Sequence, residues 1–171
     1  MIIPGIDSDS VVVRAARPSD AADIARVHVE AWRAAYVDIV PQAVLDRLSV
    51  DRRRDGWMRR LGEPAESRTI VASAGGRIVG TAELDSIYLL PEVWHRGIGR
   101  DLIERALGDL AERGFSTVIL WVLSDNARGR HFYEAGGWRP DGGVETLDFD
   151  GTSLGAVRYR LDLRARPIRF L

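Results

Sequence analysis

The 171 residues include no cysteine. That excludes a disulfide framework, a thiol nucleophile, thiolate zinc and iron–sulfur clusters. Lysine is absent too, since all 24 basic residues are arginine. A lysine Schiff base is thereby excluded, as is a phosphate loop whose lysine reaches the phosphates; a GC-rich coding genome accounts for the bias itself. His28, His95 and His131 are the three histidines and no two are closely spaced, so no metal centre is expected. Basic and acidic residues stand at 24 against 25, a net charge of −1, without the broad basic footprint of a nucleic-acid binder. No apolar run approaches the roughly 18 residues that span a bilayer, and the first residues lack the parts of a secretory signal. The expectation is a cytoplasmic protein with no nucleic-acid or membrane partner.

What is present fits one globular domain over residues 1–171, with 46% apolar and 29% charged residues. Residues 11–14 read as a short strand, and Arg17-Pro18-Ser19-Asp20 as a helix start in which Ser19 or Asp20 caps. From 21 to 36, Ile24, Val27, His28, Ala31, Trp32 and Ala35 recur at helical spacing. Further helices are expected over 41–48 and 51–61. The period then changes. Residues 69–73 and 77–82 read as a hairpin around Gly75-Gly76, and 87–90 as a strand stopped by Pro91. Residues 99–113 form a strongly amphipathic helix ended by Gly114. The run 117–123 is apolar throughout, as in strands buried on both faces. A short helix over 127–135 and two strands, 144–149 and 156–163, complete the chain. Interleaved helices imply parallel pairs and hairpins antiparallel ones, so the architecture is a mixed α/β sheet with helices on both faces.

Two segments carry chemistry. In Pro91-Glu92-Val93-Trp94-His95-Arg96-Gly97-Ile98-Gly99-Arg100, two glycines at a helix start let free amides approach an anion such as a pyrophosphate. The third glycine of the dinucleotide fingerprint is missing. In the second segment, Asn126, Gly129 or Arg130, and Tyr133 share one side of a helix, followed by Gly136-Gly137-Trp138.

Together these segments resemble the GCN5-related N-acetyltransferase (GNAT) superfamily, over about residues 11–163. The resemblance implies a central, mostly antiparallel sheet splayed between strands 4 and 5, with acetyl-CoA as co-substrate. It implies that backbone groups around Tyr88, those of Ile87 and Leu89, bond the pantetheine arm. The amides of His95, Arg96, Gly97, Ile98, Gly99 and Arg100 would hold the pyrophosphate. Asn126 would bond the pantetheine or cysteamine end, and Tyr133 would be the general acid beside the sulfur. Trp94 stands where relatives carry Gln or Arg, so Arg96 and Arg100 must supply any side-chain charge.

An amine near pKa 10 is mostly protonated at neutral pH, so a base is needed. Glu83 matches a glutamate that relatives place on the fourth strand, although a surface carboxylate without a role fits the same position. Trp121 occupies the place of a second base found in enzymes acting on protein N-termini, and argues against importing it. Matching Glu83 to the fourth strand leaves Thr81-Ala82-Glu83-Leu84 without a turn residue, so either the turn is at Asp85-Ser86 or the chain is interrupted between Gly80 and Asp85. The interruption is the favoured expectation. Trp32 and Tyr36 are candidate acceptor residues, with a core role open to Trp32, and Arg52-Arg53-Arg54 reads as a solvated helix face.

The leading expectation is transfer of an acetyl group from acetyl-CoA to a primary amine, of a small molecule or peptide, in a ternary complex. A non-catalytic acyl-CoA sensor of the same fold is the alternative, and an oxidoreductase is disfavoured by the missing glycine. Dimers are common among relatives, so a homodimer is allowed.

Overall fold

The computed structural model describes residues 11–62, 69–83, 86–149 and 151–165. Chain order is β1 (Val12–Ala15), α1 (Ala21–Ala35), α2 (Gln42–Asp46), α3 (Val50–Gly62), β2 (Ile70–Ala74), β3 (Arg77–Glu83), β4 (Ser86–Leu89), α4 (Ile98–Glu112), β5 (Thr117–Leu123), α5 (Ala127–Ala135), β6 (Arg139–Phe149) and β7 (Thr152–Asp162). Two compact units divide it: residues up to Ala34 with Arg47–Ala106, and Ala35–Asp46 with Leu107 onward.

In the first unit the sheet order is β1-β2-β3-β4, antiparallel throughout. Period-2 alternation sends neighbouring side chains to opposite faces. Gly80 and Leu89, paired across β3 and β4, face α4: a Cβ on Gly80 would lie 2.6 Å from Leu89 Cδ2 and 3.1 Å from Leu102 Cδ1. Only glycine permits that approach. Thr81 and Tyr88, the next pair, face the other way, where the Tyr88 ring meets His28 of α1 at 4.2 Å between centroids. Ile24, Val27, Val71, Val79, Leu90, Val93, Ile98 and Leu102 are enclosed between these layers. Of the two expected caps, Asp20 takes the strong contacts. Its carboxylate accepts from the Arg17 amide at 2.8 Å and from both Arg14 Nη atoms at 2.7 and 3.0 Å.

In the second unit the order is β5-β7-β6, again antiparallel. No parallel ladder occurs among the described residues, so the parallel pairing implied by interleaved helices is not formed. α4 follows β4 of one sheet and precedes β5 of the other, and no ladder joins β4 to β5 among the described residues. Two further readings need correction. The run 117–123 is not buried on both faces: only Val122 and Leu123 are buried and Ile119 is 46% exposed, because β5 is an edge strand paired to β7 alone. β6 begins five residues before the expected strand, at Arg139, through Pro140-Asp-Gly-Gly143. The other edge of the sheet tolerates this, with an irregular register between Pro140 and Val144.

The interruption was expected between Gly80 and Asp85; β3 runs unbroken from Gly80 to Glu83, and Leu84 and Asp85 lie outside the described residues. The ladder on either side closes with Glu83 opposite Ser86.

Candidate active site

The hydrogen-bond parity of β4 decides what its backbone offers. Leu90 N–H donates to the Val79 carbonyl at 3.0 Å, making that opposed pair a bonded one. Bonded and non-bonded pairs alternate along an antiparallel ladder. Thr81/Tyr88 and Glu83/Ser86 are then bonded pairs, and the N–H and C=O of Ile87 and Leu89 point away from β3. β4 ends its sheet, so these groups line an outer edge.

The chain then makes a single 3-10 turn, Pro91–Val93, and passes into α4. His95 has φ 61° and Gly97 φ 82°, both left-handed, while Ile98 is buried in the core and anchors the helix start. For a residue other than glycine, a left-handed φ is uncommon and often functional. Arg100 N–H and Asp101 N–H both bond the Gly97 carbonyl, at 2.8 and 3.1 Å. By helix geometry Ile98 and Gly99 have amides with no intrahelical acceptor. Arg96 and Arg100 are exposed, and Arg100 Nη2 lies 3.7 Å from where a Gly97 Cβ would stand. The turn thus joins backbone donors, the positive end of a helix and a guanidinium. Trp94 differs from its expected role. Its indole N–H folds back to the Leu89 carbonyl at 3.2 Å, tying the turn to the strand edge.

Asn126 is the N-cap of α5, its Oδ1 accepting from Gly129 N–H at 2.9 Å. A Cβ on Gly129 would lie 2.5 Å from Asn126 Nδ2, so this glycine is where the asparagine side chain needs it. Gly129→Ala should leave stability nearly unchanged, because losing a cap costs about 1 kcal/mol and removing a helical glycine returns about as much. The displaced amide should instead appear as an acetyl-CoA KM raised about two- to tenfold, the worth of one hydrogen bond. Thermal melting and steady-state kinetics on the same preparation check both halves.

Tyr133 is half-buried, its ring edge-on to Phe132 at 5.1 Å and to Trp138 at 5.8 Å. Phe132 is half-buried rather than a core residue, since α5 buries none of its side chains. The helix is tied to its sheet by polar contacts instead: Tyr159, fully buried, donates to Glu134 Oε1 at 2.5 Å and accepts from Arg130 Nε at 3.2 Å. Tyr36 follows α1 in the same unit, close enough to Arg128 of α5 to act on its guanidinium.

Glu83 ends β3, opposite Ser86, and is not on the fourth strand where the resemblance put it. The ladder runs one residue longer on the β3 side than the sequence indicates. Trp32 is 8% exposed and belongs to the core of α1, stacked on His28 at 5.7 Å. His28 was legible only as one member of an apolar helix face. It is 6% exposed, and neither ring nitrogen has a hydrogen-bond partner. Burial, with the Arg53 charge adding to it, pushes its pKa down to about 3. Among the described residues no group of three or more His, Cys, Asp or Glu could hold a metal.

A model of the acetyltransferase (GNAT) family matches residues 23–138, from α1 to the end of the Gly-Gly-Trp segment. The chain belongs to this family. As a GNAT acetyltransferase it is an enzyme, and the matched stretch takes in β4, the glycine turn, Asn126 and Tyr133. An uncharacterized N-acetyltransferase of Bacillus subtilis, YuaI, is 32% identical over 130 residues, covering 68% of this chain and 73% of its own. A solved GCN5-related N-acetyltransferase from Rhodopseudomonas palustris has the same fold, with TM-score 0.75 at 22% identity over 90% of this chain and 96% of that one. PaiA N-acetyltransferase from Thermoplasma acidophilum, solved in complex with coenzyme A, gives TM-score 0.67 at 20% identity over 90% and 99%. No helix among the described residues of this GNAT chain is long and apolar enough to cross a membrane.

Proposed function

We propose that this enzyme transfers the acetyl group of acetyl-CoA to a primary amine by direct attack. The observation that carries the reading is the left-handed backbone at His95 and Gly97 just before α4, with Arg100 Nη2 3.7 Å from where a Gly97 Cβ would stand, which supports an anion site beside the outward-facing strand edge. Bound acetyl-CoA supplies a thioester at which the amine nitrogen forms the new C–N bond as the C–S bond breaks. The N–H and C=O groups of Ile87 and Leu89 extend the sheet edge to the pantetheine amides, with the Leu89 carbonyl shared with Trp94. The amides from Gly97 to Gly99, with Arg96 and Arg100, hold the pyrophosphate. Asn126 Nδ2 is the donor toward the cysteamine end while Oδ1 keeps the helix cap. Tyr133 gives its proton to the departing sulfur, and Glu83 takes the amine's proton, through water. With no cysteine in the chain, direct attack needs no acyl-enzyme.

Gly97→Val tests the turn. A Cβ there meets only Arg100 Nη2 at 3.7 Å, so the penalty comes from φ 82° rather than from lack of space. Forcing a β-branched residue into left-handed backbone costs roughly 1–2 kcal/mol, and the turn relaxes by moving its amides. Calorimetry should find CoA affinity weakened at least about tenfold, about 1.4 kcal/mol. An unchanged affinity in a folded variant removes the pyrophosphate site from this turn.

A further inference from the structure

Arg130 stands between Asn126 and Tyr133 on one side of α5, at spacings of four and three residues, and no step of the transfer uses it. α5 buries no side chain, so apolar packing does not fix how the helix is turned on its sheet. Arg130 does so with polar contacts. Its Nε donates to the Tyr159 hydroxyl of β7 at 3.2 Å, and its Nη1 donates to the Ser124 carbonyl at 3.2 Å. Its backbone N–H donates to the Asn126 carbonyl at 3.0 Å. Main chain and side chain of one residue thus close a ring over residues 124–130, and Asn126 lies inside it. The ring is also anchored at its start: Ser124 N–H donates to the Gly155 carbonyl of β7 at 2.9 Å, and Asn126 N–H to the Leu123 carbonyl at 3.0 Å. A guanidinium suits this task better than an ammonium, because its donors lie in one rigid plane and two of them are committed in fixed directions.

We propose that Arg130 is a positioning residue, which sets the place of the Asn126 side-chain amide against the cysteamine end of CoA. The proposal rests on the acetyl-transfer reading above and adds a residue to its cofactor site. Asn126 Oδ1 is committed to Gly129 N–H, so Nδ2 points wherever the loop and the first turn of α5 hold it. Without the guanidinium the Ser124 carbonyl loses its tie to the helix. The bend over residues 124–126 then shifts by the fraction of an ångström to which a hydrogen bond to a bound ligand is sensitive. The helix itself stays attached. Tyr159 donates to Glu134 Oε1 at 2.5 Å, so β7 still grips α5 one turn further on.

Calorimetry on the full-length enzyme tests this without an acceptor. CoA is compared with adenosine 3′,5′-bisphosphate, which keeps the nucleotide end of CoA and lacks the pantetheine arm. Arg130→Met should weaken CoA about two- to tenfold, the worth of one hydrogen bond, and leave the bisphosphate unchanged. Arg130→Lys should do the same, because it restores the charge without the planar fork. In an Asn126→Ala background, Arg130→Met should have no further effect on CoA, as expected of two residues acting through one contact. Tyr159→Phe leaves the Ser124 bond in place, so it should lower the melting temperature and keep CoA affinity. Unaltered CoA affinity in Arg130→Met, recovery in Arg130→Lys, equal weakening of both ligands, or losses that add in the double variant overturn the proposal. So does a Tyr159→Phe variant that weakens CoA as much as Arg130→Met. Should Arg130→Met not fold, Arg130→Lys carries the same comparison. Wild-type CoA affinity in Asn126→Ala alone overturns instead the assignment of Asn126 to the cysteamine end, the part of the reading on which the proposal rests.

Discussion

Tyr133→Phe is expected to lower kcat by about 10²–10⁴-fold, the usual worth of a general acid, while CoA affinity barely moves. A CoA thiol resembles a cysteine, with a pKa near about 8.5, so its thiolate leaves more easily at neutral pH if it is protonated as the C–S bond breaks. The ring contacts to Phe132, Trp138 and Tyr159, at 5.1, 5.8 and 6.5 Å, survive loss of a hydroxyl. Tyr159 is the internal control. Its hydroxyl is committed to Glu134 and Arg130, so Tyr159→Phe should destabilise the fold by about 1.5–3 kcal/mol, the value of a buried bond to a charged group, with the chemical step retained. If Tyr133→Phe keeps more than about half the wild-type kcat, water protonates the sulfur and Tyr133 is a packing residue. A wild type that binds CoA yet turns over no amine would favour the sensor reading instead.

Helices were read closely because their apolar faces repeat over three or more turns. The helix expected over 99–113 is Ile98–Glu112, and the one expected over 127–135 is Ala127–Ala135. The start of β6 was hidden because Pro140, Gly142 and Gly143 carry turn chemistry that only an edge strand accommodates. Glu83 was misplaced by one strand because register is set by the partner strand, which a single segment does not reveal. The glycine turn was legible because glycine announces backbone freedom. His95 adopts the same left-handed backbone with nothing in its side chain to signal it. Trp94 read as a lost phosphate contact, whereas its indole is a clamp on Leu89. His28 shows the largest gap: helical spacing gave its face, but only the fold brings Tyr88 and Trp57 around it.

That buried imidazole should dominate the pH dependence of stability between about pH 6.5 and pH 4. Its pKa is depressed from an ordinary 6.5 to about 3, first by burial and then by Arg53. In this interval the unfolded chain binds a proton that the folded ring refuses, so stability is full above about pH 6.5 and falls as pH drops. The slope is at most about 1.4 kcal/mol per pH unit, which amounts to roughly 3.5 kcal/mol by pH 4. That is a large part of the 5–15 kcal/mol typical of a domain. The depressed carboxylates act in a different window. Asp20, hydrogen-bonded to Arg14, and Asp141, held near about 2 by Arg158, lend stability above their ordinary 3.8 and lose it only as pH falls further. Urea titrations at pH 7, 6, 5 and 4 should therefore find a steady decline in the wild type. His28→Phe keeps the ring stacking on Trp32 and Tyr88 and removes two orphaned nitrogens, so at pH 7 it should be at least as stable. Above pH 4 its profile should be nearly flat, with the carboxylate-driven loss below pH 4 unchanged. An unaltered slope in that variant would move the proton uptake away from His28.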